Sequence, residues 1–115
     1  SMASIAERLL AQRQHWVEVA PGKRVRYLRP RETEFASLYG GITPEHVCQQ
    51  VNGWEGFTEA DLLGSAVGAS DPAPFSPELW AEYVLDKTDV LAQVAGAIGE
   101  AVNQHLKTRA DAAKN

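Results

Sequence analysis

The chain has 115 residues, 44% of them hydrophobic and 23% charged, with a formal charge of -4. That length and mix suit one soluble globular domain with one core, and the acidic balance argues against phosphate-backbone binding as its main role. The lone cysteine, Cys48, has no partner for an internal disulfide, and no apolar run nears the ~18 residues of a membrane span, so the expectation is a cytoplasmic protein, neither anchored nor exported.

Ser1 reads as a cloning remnant ahead of an initiator Met2. Ser4-Ile5-Ala6-Glu7 has capping-box spacing, and Leu9 and Leu10 share a face with Ile5 and Ala6, which predicts a first helix over about 5–14. The period then changes to two. Trp16 to Val19 and Arg24 to Leu28 alternate around Ala20-Pro21-Gly22-Lys23, predicting a β-hairpin with a loop of about four residues, since Pro-Gly suits a type II turn better than the tightest hairpin turns. Arg29-Pro30-Arg31-Glu32 restarts a helix carrying Phe35, Leu38 and Tyr39, and Gly40-Gly41 closes it. Thr43-Pro44 opens another helix, through Val47 and Val51 to Asn52-Gly53, over about 44–52.

Thr58 and Asp61 mark a further helix start ahead of Leu62-Leu63, and the small, Pro-rich residues 65–74 read as a loop. Ser76-Pro77 opens the next helix as N-cap and first residue, with Phe75 placed to staple onto Trp80 and with Leu79, Trp80, Tyr83 and Val84 as its buried face. From Asp89, Leu91, Val94, Ala95, Ile98, Ala101, Val102 and Leu106 make the clearest helical stripe of the chain, running to about 108. The expected fold is mainly α (α+β): five or six mostly short helices with one N-terminal β-hairpin. It forms a single domain over 1–115, with a frayed tail from about 109.

The search for chemistry finds little that converges. His46 and Cys48 sit about 200° apart around a helix and cannot grip one ion together. His15 and His105 have no acid or cysteine at ligand spacing. Glu32 with Glu34, and Glu59 with Asp61, read as helix N-terminal acids. There is no phosphate-cradling glycine motif, no nucleophile elbow and no C-x-x-C. The expectation is therefore a protein that is not an enzyme and uses no cofactor or metal. Lys23, Arg24, Arg26, Arg29 and Arg31 form a basic run, read first as side chains covering a hairpin edge and second as a contact for an acidic surface. Gly96 and Gly99, among the alanines of the last helix, predict close approach of another backbone, either an internal helix or a neighbouring subunit of a homo-oligomer. Trp54 and Phe57, in the stretch VNGWEGF, read as aromatics locking a helix-to-helix corner, with an exposed docking edge as the alternative.

The order RYLRPRETEF, VNGWEGFTEADLL, PFSPELWAEYVLDKTDVLAQVAGAI and closing KN, spanning most of residues 24–115, resembles the small tail assembly chaperones of long-tailed bacteriophages and their prophages. The resemblance implies a non-enzymatic protein that binds the long helical tape-measure protein and keeps it soluble until tail-tube subunits polymerise around it. It also implies a longer form, made by ribosomal slippage near the gene's end, whose extension recruits tube protein. Lys114-Asn115 is compatible with an A-rich slippery stretch. The implied location is the cytoplasm of the bacterial host, and not the mature virion. The family has no catalytic residues to carry over. For such a role the expected partner-binding residues are Trp54, Phe57, Gly96 and Gly99. Two rival readings are a structural tail or head-completion protein of the virion and a small DNA-binding module using the Arg-rich hairpin.

Overall fold

The computed structural model describes residues 2–114, so the readings of Ser1 and Asn115 lie outside the described residues. Four helices begin at the hydroxyl residues that mark them. In α1 (Ile5–Gln12), Ser4 Oγ accepts from the Glu7 amide at 3.1 Å while Glu7 accepts from the Ser4 amide at 3.4 Å. Thr43 and Thr58 cap α2 (Pro44–Gln50) and α3 (Glu59–Leu63) with the same reciprocal pair, and Ser76 caps α4 (Pro77–Val84) by accepting from the Leu79 amide. Each such cap satisfies an amide that the first turn leaves unpaired and is worth ~1 kcal/mol.

β1 (Gln14–Ala20) and β2 (Lys23–Leu28) form the expected hairpin, with Val17 opposite Val25. Its loop is shorter than predicted. Ala20 pairs with Lys23, leaving only Pro21 and Gly22 between the strands, and a bulge between Glu18 and Ala20 takes up the mismatch. Gly22 has φ 74°, the conformation a Pro-Gly turn needs, and its amide donates to Glu18 at 3.1 Å.

The expectation of helices with one hairpin is overturned by a third strand. Val51–Glu55 forms β3, antiparallel to β2, so the sheet is a meander in the order β1-β2-β3 and the fold is α+β. Helix α2 therefore ends at Gln50 and passes straight into β3, and VNGWEGF is a strand-to-helix corner instead of a helix-to-helix one. Asn52-Gly53 looked like a helix stop because both residues favour caps. Here Gly53 lies opposite Arg26, whose guanidinium occupies the space a Cβ would need, 2.8 Å from Nη2. That guanidinium donates to both the side-chain and main-chain oxygens of Asn52 at 2.9 Å, clamping β3 onto β2.

Two other boundaries differ. Glu32–Leu38 is a 3₁₀ segment instead of an α-helix; it is short and buries no residue, so no packing regularises it. Helix α5 runs from Thr88 to Ala113, five residues past the predicted end near 108, and its buried residues stop at Val102.

The core lies between the sheet and the helices. Val19, Val25, Tyr27 and Val51 meet Val90, Val94 and Ile98 of α5, with Val47, Phe57, Trp80 and Val84 completing one cluster. Long-range hydrogen bonds tie its polar edges. Trp80 Nε1 donates to the Val47 carbonyl at 3.2 Å, Gln50 Nε2 to the Leu28 carbonyl at 2.8 Å, and Tyr27 Oη to the Ala97 carbonyl at 3.3 Å. The radius of gyration is 16.0 Å, against about 13 Å for a compact chain of this length. Helix α1, which buries nothing, and the exposed last turns of α5 account for the excess. Among the described residues no helix is long and apolar enough to cross a membrane.

Candidate docking site

The residues singled out for partner binding fall into two environments. Phe57 is 2% exposed and belongs to the core. Trp54 is half-buried, stacked on Phe57 with ring centroids 4.4 Å apart, and meets Phe75, Trp80 and Tyr83 edge-on. Its indole N–H donates to the Ala73 carbonyl at 2.8 Å, while the Ala73 amide donates to the Phe57 carbonyl at 2.9 Å. The pair thus fastens the loop 65–74 to the sheet, which is the corner-locking role and not the docking edge. Gly96 is exposed and Gly99 half-buried. A Cβ at Gly96 would meet nothing within 4 Å, and at Gly99 only the Ile42 side chain at 4.0 Å. The close backbone approach that the two glycines predicted is not made among the described residues.

The histidines have structural partners. His46 Nδ1 accepts from the Thr43 amide at 2.9 Å, so an imidazole completes the capping box of α2. His15 stacks on Tyr27 at 5.4 Å. His105 Nε2 lies 2.6 Å from Glu32 and, facing a carboxylate, must be the donor. Burial, and after it the charge of Glu45, pushes the Cys48 thiol up, away from reactivity. Among the described residues no three His, Cys, Asp or Glu side chains are grouped to hold a metal ion.

Glu32 was read as a helix-start acid, but it ties the 3₁₀ segment to α5: besides His105 it takes Arg109 Nη1 at 3.1 Å. The hydrogen bond from His105, with the Arg109 charge behind it, holds the Glu32 carboxyl below its ordinary value of 4.5. A depressed carboxylate contributes stability that is present above its ordinary value and is lost as pH falls through the lower folded one. Following the Glu32 side-chain carbonyl by NMR should give a midpoint below 4.5. A midpoint at or above that value would mean the tether is not populated in solution.

The basic run divides in two. Lys23 pairs with Asp61 at 3.4 Å and Arg24 with Glu55 at 2.7 Å, while Arg24 also lies 4.1 Å over the Trp16 ring. Because β2 is the central strand, Arg24 and Arg26, both over the Trp16 ring, cover a sheet face and not the edge that the sequence suggested. Arg29 and Arg31 lie past the strand's end and converge with Arg13. None of the three makes an ion pair among the described residues.

Those arginines adjoin an exposed apolar surface. On α1, Ile5 is 75% exposed, Leu9 58% and Leu10 41%, with Met2 beyond them at 92%. Ile5 and Leu9 are four residues apart in the helix, so they fall along one side. The helix is docked at one end only: the Arg29 amide donates to the Arg13 carbonyl, and Arg13 Nη1 to the Arg29 carbonyl, both at 2.7 Å. Between α1 and the end of β2 lies an open cleft of about 410 Å³, lined by Ala6, Leu9, Leu10 and Gln12 on one side and Arg13, Arg29 and Arg31 on the other. Burial, then the charges of Arg31 and Arg29, pushes Arg13 down, while Glu34 opposes the shift. Sequence reading found the stripe of α1 but had no signal for its being uncovered, or for Arg13 joining Arg29 and Arg31.

Comparison with protein-family models, curated proteins and solved structures finds no match to this chain.

Proposed function

We propose that this protein is a non-enzymatic tail assembly chaperone of the long-tailed phage type, acting in the cytoplasm of the bacterial host and absent from the finished virion. It binds the helical tape-measure protein and keeps its apolar segments from aggregating until tail-tube subunits enclose them. A longer product of the same gene, made by ribosomal slippage, supplies the contact to those subunits. The single observation that carries this reading is the apolar side of α1, where Ile5 and Leu9 stay mostly exposed. The order of motifs from RYLRPRETEF to the final helix supports it as well.

An exposed stripe on an anchored helix suits a helical client, because two such stripes interlock through residues three and four apart. Burying what Ile5, Leu9 and Leu10 still expose would contribute roughly 0.6–2 kcal/mol each, in proportion to that exposure. Much of that sum is offset by lost freedom on association. The surplus suits a client that must later be surrendered to the tube. In this reading the client seats on α1, while Trp54 and Phe57 fasten the loop 65–74 to the sheet.

The experiment is co-expression with the long helical protein that the chaperone reading expects downstream of this gene, followed by co-purification. Ile5→Asp with Leu9→Asp should reduce recovered partner by about tenfold, the effect of losing one to two anchors. Both side chains are exposed, so thermal unfolding should barely change. Undiminished recovery would remove α1 from the site, and absence of any complex with the unaltered chain would remove the chaperone reading.

A further inference from the structure

The α1 face is apolar along one side and cationic at one end, and a client that fits only the leucines would leave the arginines unmatched. Arg13, Arg29 and Arg31 line the same cleft as Leu9 and Leu10 and make no ion pair among the described residues. Two of the three guanidiniums are already held by main chain: Arg13 Nη1 donates to the Arg29 carbonyl and Arg29 Nη1 to the Pro30 carbonyl at 2.6 Å. The one carboxylate beside them, Glu34, is engaged in accepting from the Arg31 amide at 2.9 Å. Fixed guanidiniums with unused donors are preorganised for planar oxyanions. On a chain of net charge -4 such a cluster stands against the overall field.

We infer that the α1 cleft recognises a protein segment that is helical and acidic, its leucine-type side chains lying on Ile5 and Leu9 and its carboxylates meeting Arg13, Arg29 and Arg31. This inference rests on the reading of the α1 face given above and adds the client's charge. Other occupants fit less well. A second copy docked through its own α1 would offer the three arginines one carboxylate, Glu7, already engaged in capping that helix. Nucleic acid would satisfy the guanidiniums and leave the leucines in water. An anionic bilayer would accept both, but the acidic body behind the helix would be repelled from it.

Fluorescence anisotropy with three synthetic peptides tests the inference. Each is a leucine-striped helix of about 20 residues, long enough to fold alone, flanked by glutamate, glutamine or lysine. The glutamate peptide should bind about tenfold more tightly than the glutamine one at low salt, and the lysine peptide more weakly than either. Arg31→Glu, a change at an exposed residue, should erase the glutamate preference. Equal binding of the glutamate and glutamine peptides would overturn the inference while leaving the chaperone reading intact. No binding of any peptide, together with unchanged co-purification in the Ile5, Leu9 double variant, would overturn both. Arg31-dependent binding to phosphatidylglycerol vesicles, to a DNA duplex or to the chain itself, without peptide binding, would also overturn it and reassign the face.

Discussion

Gly56→Ala is expected to cost about 3–5 kcal/mol of folding stability, through the left-handed backbone and the overpacking that a new methyl forces. Gly56 has φ +84°, and a Cβ there would lie 1.9 Å from the Gly22 carbonyl oxygen, a main-chain atom that cannot swing aside. The contact joins the β1–β2 turn to the turn that leads from β3 into α3, a junction also spanned by the Lys23–Asp61 pair. Separating the two turns would loosen β3 from the sheet. Urea unfolding should show the midpoint falling with little change in slope. Gly96→Ala is the matched control: a Cβ there meets nothing within 4 Å, and the helix should gain up to about 1 kcal/mol. A loss below about 1 kcal/mol at Gly56 would mean that the turns do not touch in solution.

Trp80→Ala should lower stability by a similar amount, about 3–5 kcal/mol, because a large aromatic leaves a cavity the backbone cannot fill. Trp80 is 0% exposed, with Trp54 and Tyr83 edge-on or tilted against it. Its hydrogen bond adds a second effect. Val47 sits in the last turn of α2, where carbonyls run out of intrahelical donors, and the Trp80 indole supplies one. Trp80→Phe keeps most of the ring and removes that donor, so it should cost about 1–3 kcal/mol. The pair of variants separates packing from hydrogen bonding. If the phenylalanine variant is as stable as the parent, the bond to Val47 contributes nothing, and α2 is held by apolar contact alone.

Both variants probe the part of the fold hardest to read in advance. The helix starts at Ser4, Thr43, Thr58 and Ser76 were legible because a cap is a local event, settled within four residues. The stripe of α5 was legible too, since Val94, Ile98 and Val102 repeat at helical spacing. Strand β3 was not. Its five residues include Asn52 and Gly53, which prefer turns in isolation, and pairing with β2 together with the Arg26 clamp outweighs that preference. The candidate site divides in the same way. Trp54 and Phe57 stood out as large aromatics, but which way they faced depended on Ala73 and Phe75, which come sixteen or more residues later in the chain.

By itself, the sequence determined where most helices start, that the segment from Trp16 to Leu28 is a hairpin, and that α1 has an apolar side. Those are matters of neighbours a few residues apart, governed by backbone geometry and hydrogen-bond supply. Only the tertiary structure decided that the hairpin gains a third strand, that the aromatic pair turns inward, and that the side of α1 stays uncovered beside Arg13, Arg29 and Arg31. Each depends on which distant surfaces come together, and burial is a property of the pair of surfaces and not of either segment alone.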